Sequence, residues 1–291
     1  MTYQTSFFSP CKVNYMLTIT GVRPDGFHNL VSLVAPTRFG DELFIEEAGE
    51  DSIECNLEGV PCDESNLVMK AAAVFRRATM MNRFFKFNLV KKVPHGAGLG
   101  GGSSNAATAL LALNQICGYP LSNGELERLS ALIGSDCPLF LRDKSVVMRG
   151  RGELLEDLPE NAQNLIASLK LLIFKPNFSI NTGWAYKTMK DSGKMYISEQ
   201  DTEGALLSWI KNPAIENLPL INNMQIPAFE KFPALEVVLN FIRNEYNLPC
   251  LMSGSGSACF AVVNNLQPDA LQSLKDAIKK RLGESCFITE A

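Results

Sequence analysis

The chain has 291 residues, 46% of them apolar and 20% charged, with a formal net charge of −4. This is globular composition, which excludes disorder as the default, and the length suffices for one large domain or two ordinary ones. The acidic balance argues against a nucleic-acid partner, and no run approaches the roughly 18 apolar residues that a membrane span needs.

Val13, Tyr15, Leu17 and Ile19 alternate with Asn14, Met16, Thr18 and Thr20, the period-2 pattern of a strand. Arg23-Pro24-Asp25-Gly26 is a turn, because proline presets φ and glycine accepts positive φ. Short strands are expected around Glu42–Glu46 and Ser52–Leu57, then a helix from about Ser65 to Met81, then a strand in which Phe85, Phe87, Leu89 and Lys91 alternate. Ser104 to Cys117 is rich in alanine and leucine, with Gly118 placed to end a helix. Ser122-Asn123-Gly124-Glu125 is a capping box opening a helix that stops near Gly134. Leu155–Ser168 loses its periodicity and is the expected boundary between domains at 1–158 and 159–291. The second half restarts with a strand at Leu169–Lys175, followed by helices from about Asn181 and over Pro233–Tyr246. Two strands flank Gly254–Ser257, and a last helix covers about Pro268–Leu282. The mixed order of elements favours α+β over a doubly wound sheet.

The eight cysteines are scattered with no C-x-x-C pair, which reads as reduced thiols. With two histidines, neither at ligand spacing from a cysteine pair, structural zinc is not expected. Met1–Ser6 has neither the positive nor the apolar region of a secretory leader, so the expected compartment is cytoplasmic.

The strongest signal is Pro94-His95-Gly96-Ala97-Gly98-Leu99-Gly100-Gly101-Gly102-Ser103-Ser104-Asn105, which joins a strand to a helix and holds five glycines in seven positions. Without Cβ atoms this backbone can approach a ligand closely, and the unpaired amides of the following helix, with its dipole, make an anion site suited to a di- or triphosphate. Ser103 and Ser104 add hydroxyls that can cap the helix, contact phosphate or reach a metal ion. Gly96-x-Gly98-x-x-Gly101 matches the dinucleotide fingerprint, but the region where its acid-tipped second strand should lie is the capped helix from Ser122. Nor does a G-x-x-x-x-G-K-[ST] loop occur.

With two further stretches the loop resembles the GHMP kinase superfamily. Ser9-Pro10-Cys11-Lys12-Val13-Asn14 is similar to its first motif, the glycine-serine loop to its second, and Leu251-Met252-Ser253-Gly254-Ser255-Gly256-Ser257 to its third, a glycine loop that supports the phosphate loop. The resemblance implies a two-domain α+β fold, with an N-terminal domain like domain 2 of ribosomal protein S5 and a ferredoxin-like C-terminal domain. It also implies ATP as co-substrate, with Mg²⁺. Gly21-x-Arg23-x-Asp25-Gly26-Phe27-His28, the Gly100–Asn105 variant of the loop and Gly134-Ser135-Asp136-Cys137-Pro138 are most similar to the branch whose acceptor carries a cytidine diphosphate, in the non-mevalonate route to isoprenoids. Homoserine or phosphomevalonate kinases are the alternative within the superfamily. Phe27 stands where tyrosine is usual, so a ring can stack but a hydroxyl is lost; Cys11 and Ser135 replace small alanines.

By this resemblance Pro94, Gly96, Ala97, Gly98, Leu99, Gly100, Gly101, Gly102, Ser103 and Ser104 hold the nucleotide. Asp136 is the base, Lys12 its partner, and Asn14 faces the substrate. Phe27 and His28 read the nucleobase, with Tyr186 opposite. From the residues alone, Asp136 also reads as a helix N-cap, Lys12 as a solvated strand lysine and Tyr186 as a half-buried helix aromatic. Lys91 or Lys92 could reach phosphate or end a strand in solvent. His95 has no expected catalytic role. The sequence leaves the Mg²⁺ ligands and the oligomeric state open.

Overall fold

The structure, a computed structural model, describes residues 5–291, so most of Met1–Ser6 lies outside the described residues. The first half runs β1 (Thr5–Val22), β2 (His28–Ala48), β3 (Ser52–Cys55), α1 (Leu67–Thr79), β4 (Phe84–Val90), α2 (Gly101–Ile116), α3 (Asn123–Ile133), α4 (Cys137–Leu141), β5 (Val146–Arg149) and β6 (Leu154–Asp157). Then follow α5 (Glu160–Ala167), β7 (Leu171–Lys175), α6 (Thr182–Ser192), α7 (Glu199–Lys211), β8 (Ile221–Asn222), α8 (Gln225–Lys231), α9 (Pro233–Tyr246), β9 (Cys250–Met252), β10 (Cys259–Val262), α10 (Pro268–Leu282) and β11 (Phe287–Glu290). The capping box of Ser122 and Glu125 is present, with Glu125 accepting from the Ser122 amide at 2.8 Å. Gly118, at φ +81°, follows the end of α2.

Two compact units form. The first takes residues up to Lys12, Pro36–His95 and Gly100–Lys144; the second takes Val13–Ala35, Gly96–Leu99 and Ser145–Ala291. They interleave along the chain because the long strands β1 and β2 run through both, whereas a boundary at 158/159 is a linear partition.

In the first unit β4 lies antiparallel to β2, pairing Phe87 with Ile45, and parallel to β3, pairing Phe87 with Ile53. The alternating Phe85, Phe87 and Leu89 of β4 turn into a core completed by α1 and α2. Ala71 and Ala72 are buried there with Ala106, Ala109 and Ala112, small side chains that let the two helices approach closely.

In the second unit four strands form an antiparallel sheet in the order β11-β7-β10-β9. Taken with α9 and α10 these elements give the βαββαβ, ferredoxin-like arrangement expected. Every residue of β7 is buried, and Leu172 and Phe174 share a core with Leu235, Val238, Leu239 and Ile242 of α9 and Leu274 and Ile278 of α10. Here β8 pairs parallel with β1, and β5 pairs antiparallel with β2. Among the described residues no helix is long and apolar enough to cross a membrane.

Candidate active site

In the first unit the glycine-serine segment opens α2 at Gly100, which sits at φ +69° as the N-cap with no side-chain cap. The Ser104 amide donates to the Gly100 carbonyl at 2.9 Å, so the amides of Gly101, Gly102 and Ser103 precede the intrahelical ladder. Ser103 is half-buried and its hydroxyl reaches the Cys137 thiol, beside the turn that carries Asp136. Ser104 is buried, and its hydroxyl shares a 2.8 Å hydrogen bond with Ser9 Oγ, turned inward from the loop.

Lys12 is not a solvated strand lysine: it is 5% exposed. Its stem passes beneath Gly100, where a Cβ would lie 3.0 Å from Lys12 Cγ, 3.2 Å from its Cε and 2.9 Å from Phe140 Cζ. Burial pushes the Lys12 amine below its usual 10.5, and the Asp136 carboxylate opposes that shift by favouring the ammonium. Asp136 stands at the N-cap of α4 with φ −88° and ψ −9°, yet its side chain makes no capping bond. An Asp read as a cap is thus left to act on Lys12.

Lys91 lacks the freedom the sequence suggested, while Lys92 ends in solvent, one of the two outcomes expected. Lys91 Nζ pairs with the buried Asp41, and Lys92 pairs at the surface with Glu42 at 2.6 Å.

In the second unit, Gly96 and Gly98 adopt φ +62° and +79°, while Ala97 and Leu99 are buried and present only backbone. A Cβ on Gly98 would lie 2.4 Å from the Ser253 carbonyl oxygen, and Ser253 Oγ donates to the Gly98 carbonyl at 3.3 Å. The Ala258 amide donates to the Ala97 carbonyl at 3.0 Å. The third glycine motif therefore braces this stretch through backbone contacts that side chains would block. Asn14 is buried; its amide nitrogen donates to Ser32 Oγ at 2.9 Å, and its backbone N–H donates to Ser253 Oγ at 3.2 Å.

The turn before β2 holds Phe27 outward, 55% exposed. Asp25 Oδ1 accepts from the Phe27 amide at 3.1 Å, the Arg23 amide donates to the Phe27 carbonyl at 2.7 Å, and Gly26 takes φ +85°. His28 packs against Tyr186 with ring centroids 4.8 Å apart and against Tyr196 at 6.1 Å. Burial, then the Lys190 charge, lowers the His28 pKa, which favours a neutral imidazole able both to donate and to accept. The Arg151 guanidinium lies over the Phe27 ring, 4.5 Å from its centroid. Arg151 and Tyr196 were missed from sequence; a lone arginine between Gly150 and Gly152 was the available signal for the first.

Among the described residues no group of three or more His, Cys, Asp or Glu side chains could hold a metal ion.

The class these features define is confirmed by comparison. The model of the GHMP kinases N terminal domain matches residues 66–143, and that of the GHMP kinases C terminal matches 208–283. The chain is 38% identical over 291 residues to the chloroplastic 4-diphosphocytidyl-2-C-methyl-D-erythritol kinase of Oryza sativa subsp. japonica, covering 98% of this chain and 71% of that protein. It is 36% identical over 284 residues to the kinase of the same name from Methylacidiphilum infernorum, covering 97% and 94%. A crystal structure of 4-(cytidine 5'-diphospho)-2C-methyl-D-erythritol kinase superposes with a TM-score of 0.77 at 29% identity, covering 98% of each chain. The chain belongs to the 4-diphosphocytidyl-2-C-methyl-D-erythritol kinase family within the GHMP kinases, and is an ATP-dependent kinase.

Proposed function

We propose that the chain transfers the γ-phosphoryl group of ATP to the 2-hydroxyl of 4-diphosphocytidyl-2-C-methyl-D-erythritol, giving the 2-phosphate and ADP. The observation that carries the chemistry is the buried Lys12 beneath Gly100, its charge sustained by an Asp136 that caps nothing. Asp136 takes the proton as the hydroxyl oxygen attacks phosphorus, the bond from phosphorus to the β-phosphate oxygen breaks, and ADP leaves. Lys12 holds carboxylate and hydroxyl in register. Phosphoryl transfer asks for positioning and charge neutralisation more than covalent chemistry, and these residues supply both.

The amides and glycines of 94–104 receive the nucleotide phosphates, with Ser104 contributing backbone only. Ser103, half-buried at the start of α2, offers a hard oxygen donor that would suit Mg²⁺; such an ion would neutralise phosphate charge. Phe27 and Tyr186 provide stacking surfaces for the cytosine, His28 its polar edge, and Asn14 a buried amide beside the acceptor. A cytoplasmic enzyme with no nucleic-acid or membrane partner, and a domain boundary at 158/159, complete the reading. The acidic net charge supports the absence of a nucleic-acid partner.

ADP release measured with 4-diphosphocytidyl-2-C-methyl-D-erythritol, homoserine and mevalonate as competing acceptors tests it. Turnover confined to the first acceptor is expected; preference for either of the others would overturn the assignment.

A further inference from the structure

Asp41 lies outside both segments matched by the family models, yet its fully buried carboxylate ties together the segment leading from β4 into the glycine loop and the helix leading out of it. Asp41 Oδ1 accepts from the backbone amides of Lys92 and Val93, each at 2.8 Å, immediately before Pro94. Its Oδ2 accepts from Asn105 Nδ2 at 2.9 Å, one residue past Ser104, and from Lys91 Nζ. Lys91 Nζ also donates to Asn105 Oδ1 at 3.1 Å, and Asn105 Nδ2 also donates to Ser9 Oγ at 2.8 Å, which bonds in turn with Ser104 Oγ. Gly40 lets this happen: a Cβ there would sit 2.2 Å from the Ser9 carbonyl oxygen.

A buried ion pair is a costly way to stabilise a fold, since apolar side chains of similar volume serve as well or better. Fully satisfied polar clusters are instead good at fixing one geometry. Here the geometry fixed is the separation of residues 92–93 from residues 104–105. The intervening loop carries positive φ at Gly96, Gly98 and Gly100, and the helix it opens has no side-chain cap of its own.

We propose that Asp41 is the positioning residue of the nucleotide loop, clamping its entry at Lys92–Val93 to its exit at Asn105 so that the phosphate-binding amides are set before ATP arrives. The inference rests on the loop from Pro94 to Asn105 being the ATP site. Lys91 belongs to the clamp as the counter-charge of Asp41 and makes no phosphate contact.

The test is a charge swap. In Asp41→Asn the new amide must face either two backbone N–H groups or the donors of Lys91 and Asn105, and turning the Asn105 amide over sets its nitrogen against Lys91. Asn105→Asp alone places two carboxylates on one ammonium. In the double variant the new amide at position 41 accepts from both backbone N–H groups through its oxygen. Its nitrogen donates to the new carboxylate at position 105; Lys91 Nζ, already 3.1 Å from the Asn105 oxygen, gives up position 41 and pairs with that carboxylate, which also accepts from the Ser9 hydroxyl. ATP and acceptor dissociation constants are measured by calorimetry, with thermal melting alongside. The expected result is an ATP Kd raised about tenfold in each single variant, the scale of one lost hydrogen bond to a charged group, and restored to within about threefold in the double. The acceptor Kd changes by less than about twofold, consistent with a perturbation confined to this loop. Should Asp41→Asn not fold, Ser9→Ala leaves the charges intact and is expected to raise the ATP Kd about threefold. A folded Asp41→Asn, or Ser9→Ala, with wild-type ATP Kd overturns the proposal, as does a double variant no better than the singles. A wild-type chain that binds no ATP would instead remove the nucleotide-loop reading beneath it.

Discussion

Replacing Gly100 with alanine tests the active site through a single methyl group. Gly100 sits at φ +69°, where an L-residue costs roughly 1–2 kcal/mol. The new Cβ would lie 2.9 Å from Phe140 Cζ and 3.0 Å from Lys12 Cγ, against a preferred carbon–carbon separation of about 3.5–4.0 Å. Both neighbours must therefore move by about half an ångström or more, at an overpacking cost of about 1–3 kcal/mol. The Lys12 stem carries the ammonium, and displacing a reacting group by about 1 Å costs about 10²-fold in rate. Gly100→Ala should accordingly lower stability by about 2–5 kcal/mol, a drop in melting temperature of about 4–10 °C, and reduce kcat far more than it raises the KM for ATP. Gly102→Ala supplies the contrast. Its Cβ would meet only Leu67 Cδ1 at 3.7 Å, within a helix, so that variant should gain about 0.5–1 kcal/mol and melt higher. The readouts are melting curves for both variants and steady-state kinetics for Gly100→Ala. A Gly100→Ala enzyme with unchanged melting temperature and wild-type kcat would refute both the packing argument and the placing of Lys12.

Asp136→Asn removes the proton acceptor and should cost about 10²–10⁴ in kcat, and Lys12→Met should cost a comparable amount. The double variant should be little worse than the poorer single with ATP affinity retained, whereas multiplicative losses would mean that the two act independently. Because burial holds the Lys12 pKa below 10.5, kcat should fall as pH rises through that lowered value, and Asp136→Asn should move this limb of the residual rate lower still. Between the lowered value and 10.5 the unfolded chain binds more protons, so stability should rise with pH there; denaturation of wild type against Lys12→Met isolates the effect. Phe27→Ala should weaken acceptor binding by roughly 1–3 kcal/mol with a smaller change in kcat, as expected for base stacking made in ground and transition states alike, while Phe27→Tyr is tolerated. Equal turnover of methylerythritol phosphate lacking the cytidyl group would remove that clamp.

The parts of the fold legible in the sequence are those with one buried face or an explicit stop. Phe85, Phe87 and Leu89 alternate because only one side of β4 meets the helices, and α9 and α10 each begin with a proline at Pro233 or Pro268. The first half of β2 was missed because Val31 to Ala35 are buried without interruption, and a strand covered on both faces has no period of two. In β1, which was read from its alternation, Cys11 to Ile19 are likewise all buried, so the alternating polar residues Lys12, Asn14 and Thr18 face the interior and not solvent. Helix α7 did carry a signal, with Thr202, Leu206 and Trp209 on one buried stripe, but too few apolar positions to stand out between polar neighbours. The short α5 and β6 fall where Pro159 and Asn161 suggested a boundary.

At the site, what could be read was whatever the backbone itself demands. Several of the five glycines in seven positions lie where chain closely approaches chain, since a Cβ on Gly98 would sit 2.4 Å from the Ser253 carbonyl oxygen, so the loop announces itself in composition. Asp41 obeys no such rule. In sequence it is an acidic residue after a glycine at one edge of the strand expected over Glu42–Glu46, no more conspicuous than the exposed Glu47 at the other edge, which pairs with Arg83. Only the fold brings Lys92, Val93 and Asn105 within hydrogen-bond reach of one carboxylate. The same distinction explains Lys91 and Lys92, which follow the end of β4: one lysine is sealed against Asp41 at 5% exposure and its neighbour meets Glu42 in water. A charge pattern in sequence states how many groups can pair; burial decides which pair can set the geometry of a loop.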